Sequence, residues 1–129
     1  MSKKPMYVRF DTPEELAEKV YECIEMARNT GGKVRKGVNE TTKSIERGRA
    51  KFVVIAEDVK PEEIVAHVPL LCEEKGVPYA YVPEKARLGK AAGIDVADST
   101  VSIEDPAEAA ELMNAIIERV KKIKSGETE

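Results

Sequence analysis

The spacing of apolar positions changes several times along the chain, and each change marks an element. Leu16, Val20, Ile24 and Ala27 recur at helical spacing. Ahead of them, Thr12-Pro13-Glu14-Glu15 has the form of a capping box with Pro at the first helical position, and Gly31-Gly32 ends the run. A short extended piece at 33–36 leads into a brief helix from Asn39 to about Arg47, stopped by Gly48. The continuous apolar run "KFVVIA" that follows reads as a buried strand. Asp58 to Pro61 are expected to open another short helix, interrupted at His67-Val68-Pro69 before "LLCEEKG". "VPYAYV" reads as a second buried strand, Glu84 to Ala92 as a helix closed by Gly93, and "DSTVSI" as a final strand. Asp105-Pro106 then caps a last helix with Ala109, Met113, Ile116, Ile117 and Val120 on one stripe. Strands alternating with helices predict an α/β fold, a single-domain three-layer α-β-α sandwich with helices on both faces of a small mixed sheet. Residues 1–5 and about the last five are expected to fray.

Composition narrows this picture. A chain of 129 residues with 42% hydrophobic content can bury one core, so residues 1–129 are read as one domain with a compact part at about 7–123. The longest apolar run, "FVVIA", is far shorter than the roughly 20 residues of a membrane span, and the start is charged. A soluble, cytoplasmic protein with no membrane partner is therefore expected. Cys23 and Cys72 form no C-x-x-C pair and are read as buried small apolar residues. The absence of Gln, the three Asn and the 35% charged residues lean toward a thermophilic source.

Charge singles out one segment. Between Lys33 and Lys51 stand seven basic residues (Lys33, Arg35, Lys36, Lys43, Arg47, Arg49, Lys51) and two acidic ones (Glu40, Glu46), so this stretch carries +5, and the remainder −8, of a net −3. At about 100° per residue, Asn39, Glu40, Lys43, Glu46 and Arg47 share an arc of about 120°, while Val38, Thr41, Thr42 and Ile45 occupy the other side. The polar groups would face outward together. A helix N-terminus beside Lys36 suits an anion such as phosphate, and Gly37 would let the backbone approach it closely. The amide of Asn39 and the ammonium of Lys43 can read base edges. Glu40 would be repelled by a polyanion unless it accepts hydrogen bonds from base amino or imino groups. The same residues also fit an N-cap at Asn39, a first-turn acid at Glu40 and a solvated face with Lys43 and Arg47.

Other constellations carry less. His67 lacks a nucleophile-motif partner and reads as structural. "GKAAG" at 89–93 lacks the spacing of a phosphate loop. Glu57-Asp58 could ligate a metal but fits a strand-to-helix turn more simply, and the lysines of "ERVKKIKSGE" suit a helix C-terminus. No catalytic, metal or cofactor site is expected.

"GVNETTKSIERGRAKFVVIAEDVKP" (37–61) and "HVPLLCEEKGVPYAYVPEKARLGKAAGIDV" (67–96) closely resemble archaeal members of the ribosomal L-seven-Ae family, a likeness running from about Tyr7 to Lys122. The resemblance implies an α-β-α sandwich that binds kink-turns, RNA helices bent at a three-nucleotide bulge followed by tandem sheared G·A pairs. It places base reading on Asn39, Glu40 and Lys43, with Gly37 also matching, and RNA-backbone contacts on Lys36 and Arg47. It brings Lys85 to the other arm, and sets Ile94, Asp95 and Val96 beside the protruding nucleotides. Lys60 departs from some eukaryotic relatives, which place an acid there. The implied clients are rRNA in the large ribosomal subunit, box C/D and box H/ACA guide RNAs and ribonuclease P RNA, alongside other ribonucleoprotein proteins. The protein itself would be non-catalytic and a monomer when free. The alternative from another class is a small α/β ligand-binding domain or enzyme acting at the carboxyl edge of the sheet.

Overall fold

The computed structural model describes residues 4–126. Five helices and four strands alternate: α1 (Glu14–Asn29), β1 (Lys33–Lys36), α2 (Val38–Glu46), β2 (Phe52–Ala56), α3 (His67–Lys75), β3 (Tyr79–Val82), α4 (Lys85–Ala91), β4 (Thr100–Asp105) and α5 (Ala110–Lys124). Short 3₁₀ turns at Glu62–Ile64 and Ala107–Ala109 precede α3 and α5. The sheet runs β1-β4-β2-β3, with β2 and β3 parallel and the other pairs antiparallel. β2 lies between β4 and β3 and is buried at every residue, which is why its sequence is apolar throughout rather than alternating. α1 packs with α4 and α5, and α2 packs with α3, so helices cover both faces of the mixed sheet. The predicted inward positions Leu16, Val20, Ile24 and Ala27 of α1 all enter the core, as do Ala109 of the second 3₁₀ turn and Met113, Ile116, Ile117 and Val120 of α5.

Several local expectations give way to tertiary demands. Thr12 does not cap α1; its Oγ1 accepts the N–H of Tyr81 (3.4 Å). β3 is an edge strand with an outward donor to satisfy, and α1 starts instead with Leu16 and Ala17 N–H donating to the Pro13 carbonyl (3.0 and 2.9 Å). His67-Val68-Pro69 does not interrupt a helix but forms the first turn of α3, where proline's missing N–H leaves no bond unmade. Asp58 to Pro61 stay non-helical. The extended piece at 33–36 is a true fourth strand, paired with β4 alone.

The β3 edge is closed by the N-terminal segment. The Tyr81 hydroxyl donates to the Tyr7 carbonyl (2.6 Å) and accepts the Arg9 N–H (3.0 Å), while the Tyr7 hydroxyl donates to the Ala56 carbonyl (2.7 Å). Phe10 packs edge-on to Tyr81 at 5.0 Å between centroids. The expected fraying falls partly on residues 1–3 and 127–129, outside the described residues. Lys4, inside them, pairs with Asp11 and Glu57 (3.2 and 3.3 Å). Cys23 and Cys72 are free and buried, and burial pushes both thiols up to about 12.

Candidate functional site

α2 begins one residue earlier than its pattern suggests. Gly37 occupies the N-cap with φ 88°, a left-handed conformation that favours glycine, and no side chain caps the helix. Asn39 is therefore inside the first turn, with its amide free of the capping duty open to it on pattern alone. Asn39, Glu40, Lys43, Glu46 and Arg47 are exposed, whereas Thr41 and Ile45 are buried and Val38 and Thr42 half-buried, as the helical wheel requires. Ser44 is also buried, its hydroxyl 2.8 Å from that of Ser102 on β4. Thr42 Oγ1 lies 3.0 Å from His67 Nε2, which gives the single histidine a role in joining α2 to α3. Lys36, exposed, ends β1 immediately before the cap. Arg47 takes the C-cap, about 12 Å along the helix from Asn39 at 1.5 Å per residue.

The second group forms around α4. Lys85 is its first residue, half-buried, and its N–H donates to Asp58 Oδ1 (2.9 Å), so the acid after β2 caps α4 rather than the segment that follows it. Ile94, Asp95 and Val96 form the loop after α4: Ile94 half-buried, Asp95 exposed and Val96 69% exposed. Ile94 N–H donates to the Gly89 carbonyl (3.0 Å) and Asp98 N–H to the Lys85 carbonyl (3.0 Å), tying the loop to α4 at both ends. Gly89 permits this, because a Cβ there would lie 1.9 Å from the Val96 carbonyl oxygen.

The two groups meet at Gly37. Its N–H points to both the Thr100 carbonyl (3.0 Å) and Asp98 Oδ1 (2.9 Å). The start of α2, the start of α4 and the loop are thus linked by consecutive hydrogen bonds. Beside α2 a cleft of ≈ 280 Å³ is lined by Arg35, Glu40, Lys43, Arg47, Arg49 and Glu104. Arg35 spans it, with Nε 3.2 Å from Glu104 Oε1 and Nη1 3.9 Å from Glu40 Oε1. The Ser44 hydroxyl and the Arg35 and Arg49 charges outweigh burial and hold the Glu104 carboxyl below its usual range.

The sequence model of the ribosomal protein L7Ae/L30e/S12e/Gadd45 family matches residues 18–113. The chain belongs to this family. A solved structure, that of a Giardia lamblia 15.5kD RNA binding protein, is similar to this L7Ae/L30e/S12e/Gadd45 family member at 31% sequence identity and a TM-score of 0.84, over 94% of the present chain and 99% of the other. The family match at residues 18–113 contains both groups of candidate residues.

Three residues of this family member escaped the sequence reading. Asp98 left a local trace, since an acid two residues before a strand residue can form an Asx turn, and its Oδ1 does accept the Thr100 N–H (3.3 Å). Its bond to Gly37, 61 positions away, leaves none. Burial pushes the Asp98 carboxyl up to about 6, against the opposing pull of the Thr100 and Gly37 N–H groups and the Lys36 charge. Arg35 counted toward the basic cluster, but only the β1–β4 pairing reveals Glu104 as its partner. Gly89 looked like an ordinary helix residue.

Proposed function

We propose that the protein binds and stabilises kink-turn RNA, using the exposed face of α2 together with the Ile94–Val96 loop. The observation that carries this reading is the junction at Gly37, which joins a helix tip bearing Asn39, Glu40 and Lys43 to a half-exposed apolar loop. Regular A-form RNA hides its bases in a deep, narrow major groove; a kinked helix with sheared pairs exposes guanine edges to a protruding tip. Asn39, Glu40 and Lys43 read those edges, and Lys36 and Arg47 hold backbone phosphates. Lys85 meets the other arm. Ile94 and Val96 pack against protruding nucleotides, with Asp95 between them. Arg35 shields the Glu40 carboxylate before RNA arrives.

Binding shifts the RNA from extended to kinked by as much as the two forms differ in affinity. The acidic remainder of the chain disfavours indiscriminate duplex binding. On this reading the protein is an archaeal large-subunit ribosomal protein and a shared, non-catalytic component of box C/D, box H/ACA and ribonuclease P particles. It works in the cytoplasm and is a monomer when free.

The test titrates parent and Glu40→Ala against a kink-turn and a matched straight duplex at one fixed salt concentration. Glu40→Ala should lose about 1.5–3 kcal/mol on the kink-turn, the worth of a charge-assisted bond. Duplex binding should stay level or tighten as a negative charge is removed. A rise in kink-turn affinity reduces Glu40 to a first-turn helix acid and refutes its base-reading role.

A further inference from the structure

Asp98 is 4% exposed and touches three parts of the proposed surface. Its N–H holds the Lys85 carbonyl at the start of α4 (3.0 Å), and its Oδ1 accepts from Gly37 at the start of α2 (2.9 Å) and from Thr100 at the start of β4 (3.3 Å). The Ile94–Val96 loop runs directly into it. Lys36, on β1, is a charged side chain acting on it; the Lys85 carbonyl faces it from α4 and the Thr100 N–H from β4. Burial of a carboxylate is costly where it is not compensated, and here Oδ1 is bonded to both α2 and β4 while Oδ2 is buried without a hydrogen-bond partner.

We propose that Asp98 is a positioning residue for RNA binding, whose side chain sets the separation between the α2 tip and the Ile94–Val96 loop so that both engage one RNA at once. The inference rests on the two-part surface proposed above. Side-chain length is the property that matters. Asparagine keeps both the length and the acceptor, alanine removes the link, and glutamate keeps the charge but adds a methylene that pushes the two parts out of register.

The experiment titrates a kink-turn with a protruding nucleotide into the full chain. Variants are Ile94→Ala with Val96→Ala, Asp98→Ala, all three together, Asp98→Asn and Asp98→Glu. Loop truncation should weaken the parent by about tenfold or more. Asp98→Ala should lose about tenfold by itself, and in that background loop truncation should add less than about threefold, because the two parts no longer act together. Asp98→Asn should stay within about twofold, while Asp98→Glu should lose about tenfold, the equivalent of one base-edge contact. An undiminished loop effect in the Asp98→Ala background overturns the proposal, as does parent-like binding by Asp98→Glu. If Asp98→Ala fails to fold, the Asn and Glu variants decide alone. A parent that binds a kink-turn and a straight duplex equally refutes the kink-turn reading together with this inference; a discriminating parent with additive losses refutes the inference alone.

Discussion

Gly89→Ala sets helix propensity against packing, and the two predict opposite signs. Gly89 lies inside α4, where alanine would be favoured by about 1 kcal/mol. A Cβ at this position, however, would stand 1.9 Å from the Val96 carbonyl oxygen, 3.0 Å from its carbon and 3.3 Å from the Ala97 carbonyl carbon, all backbone atoms. Restoring an ordinary contact of 3.4 Å makes the loop retreat by about 1.5 Å. That carbonyl sits between the Ile94–Gly89 and Asp98–Lys85 hydrogen bonds, both 3.0 Å, so the retreat breaks at least one of them. Overpacking costs about 1–3 kcal/mol and a lost bond about 0.5–1.5, against the 1 gained, leaving a net destabilisation of about 0.5–3.5 kcal/mol. Urea unfolding should show a lower midpoint at unchanged slope. The displaced loop should also weaken binding to RNA with a protruding bulge more than to RNA without one. A variant that is more stable than the parent and binds both RNAs normally would refute the close approach of α4 to the loop.

Asn39→Ala and Lys43→Ala should each weaken kink-turn binding by about 1–3 kcal/mol in a direct titration; parent-like affinity in both would dismiss the α2 tip as a reading face. Ile94→Ala with Val96→Ala should weaken bulged RNAs by about 1–3 kcal/mol per stacked base and leave the melting temperature nearly unchanged; a large drop in melting temperature would identify the two side chains as core instead. For Asp98, raised from 3.8 to about 6, the folded chain keeps a proton that the unfolded chain releases within that pH window, so parent stability falls as pH rises through it. Asp98→Asn lacks this term: its gain in urea midpoint over the parent should grow between pH 4 and pH 6 and level off above, and a gain that shrinks over that range would contradict the buried carboxylate.

The sequence carried most of the fold because its signals were local and mutually consistent. The apolar face of α1, the unbroken "FVVIA" of β2 and the stripe of α5 each have one sensible burial, and each is buried. Local signals failed where a distant partner claimed the group. Thr12 had the form of a cap, but an edge-strand N–H from Tyr81 took its hydroxyl. β1, with only four residues and three basic side chains, had no apolar alternation to announce it, and it is a strand because β4 pairs with it. The outward face of α2 was legible for a related reason, since a single helix presents it and periodicity suffices. The junction among Gly37, Lys85 and Asp98 was not, because its members come from three elements that meet only after the sheet has formed.

The position of β1 in the sheet also fixes a timetable for synthesis. Among the described strands β1 hydrogen-bonds to β4 alone, and β4 is the last of them to be made. Gly37, at the N-cap of α2, takes its partners from Asp98 and Thr100, about 60 residues further along the chain. At about 5–20 residues per second, the ribosome needs roughly 3–12 s to add that stretch, and the exit tunnel delays it further. During that interval the nascent chain displays Asn39, Glu40 and Lys43 without the strand that orients them. The N-cap of α2 therefore gains both of its partners only once residues 98–100 have emerged.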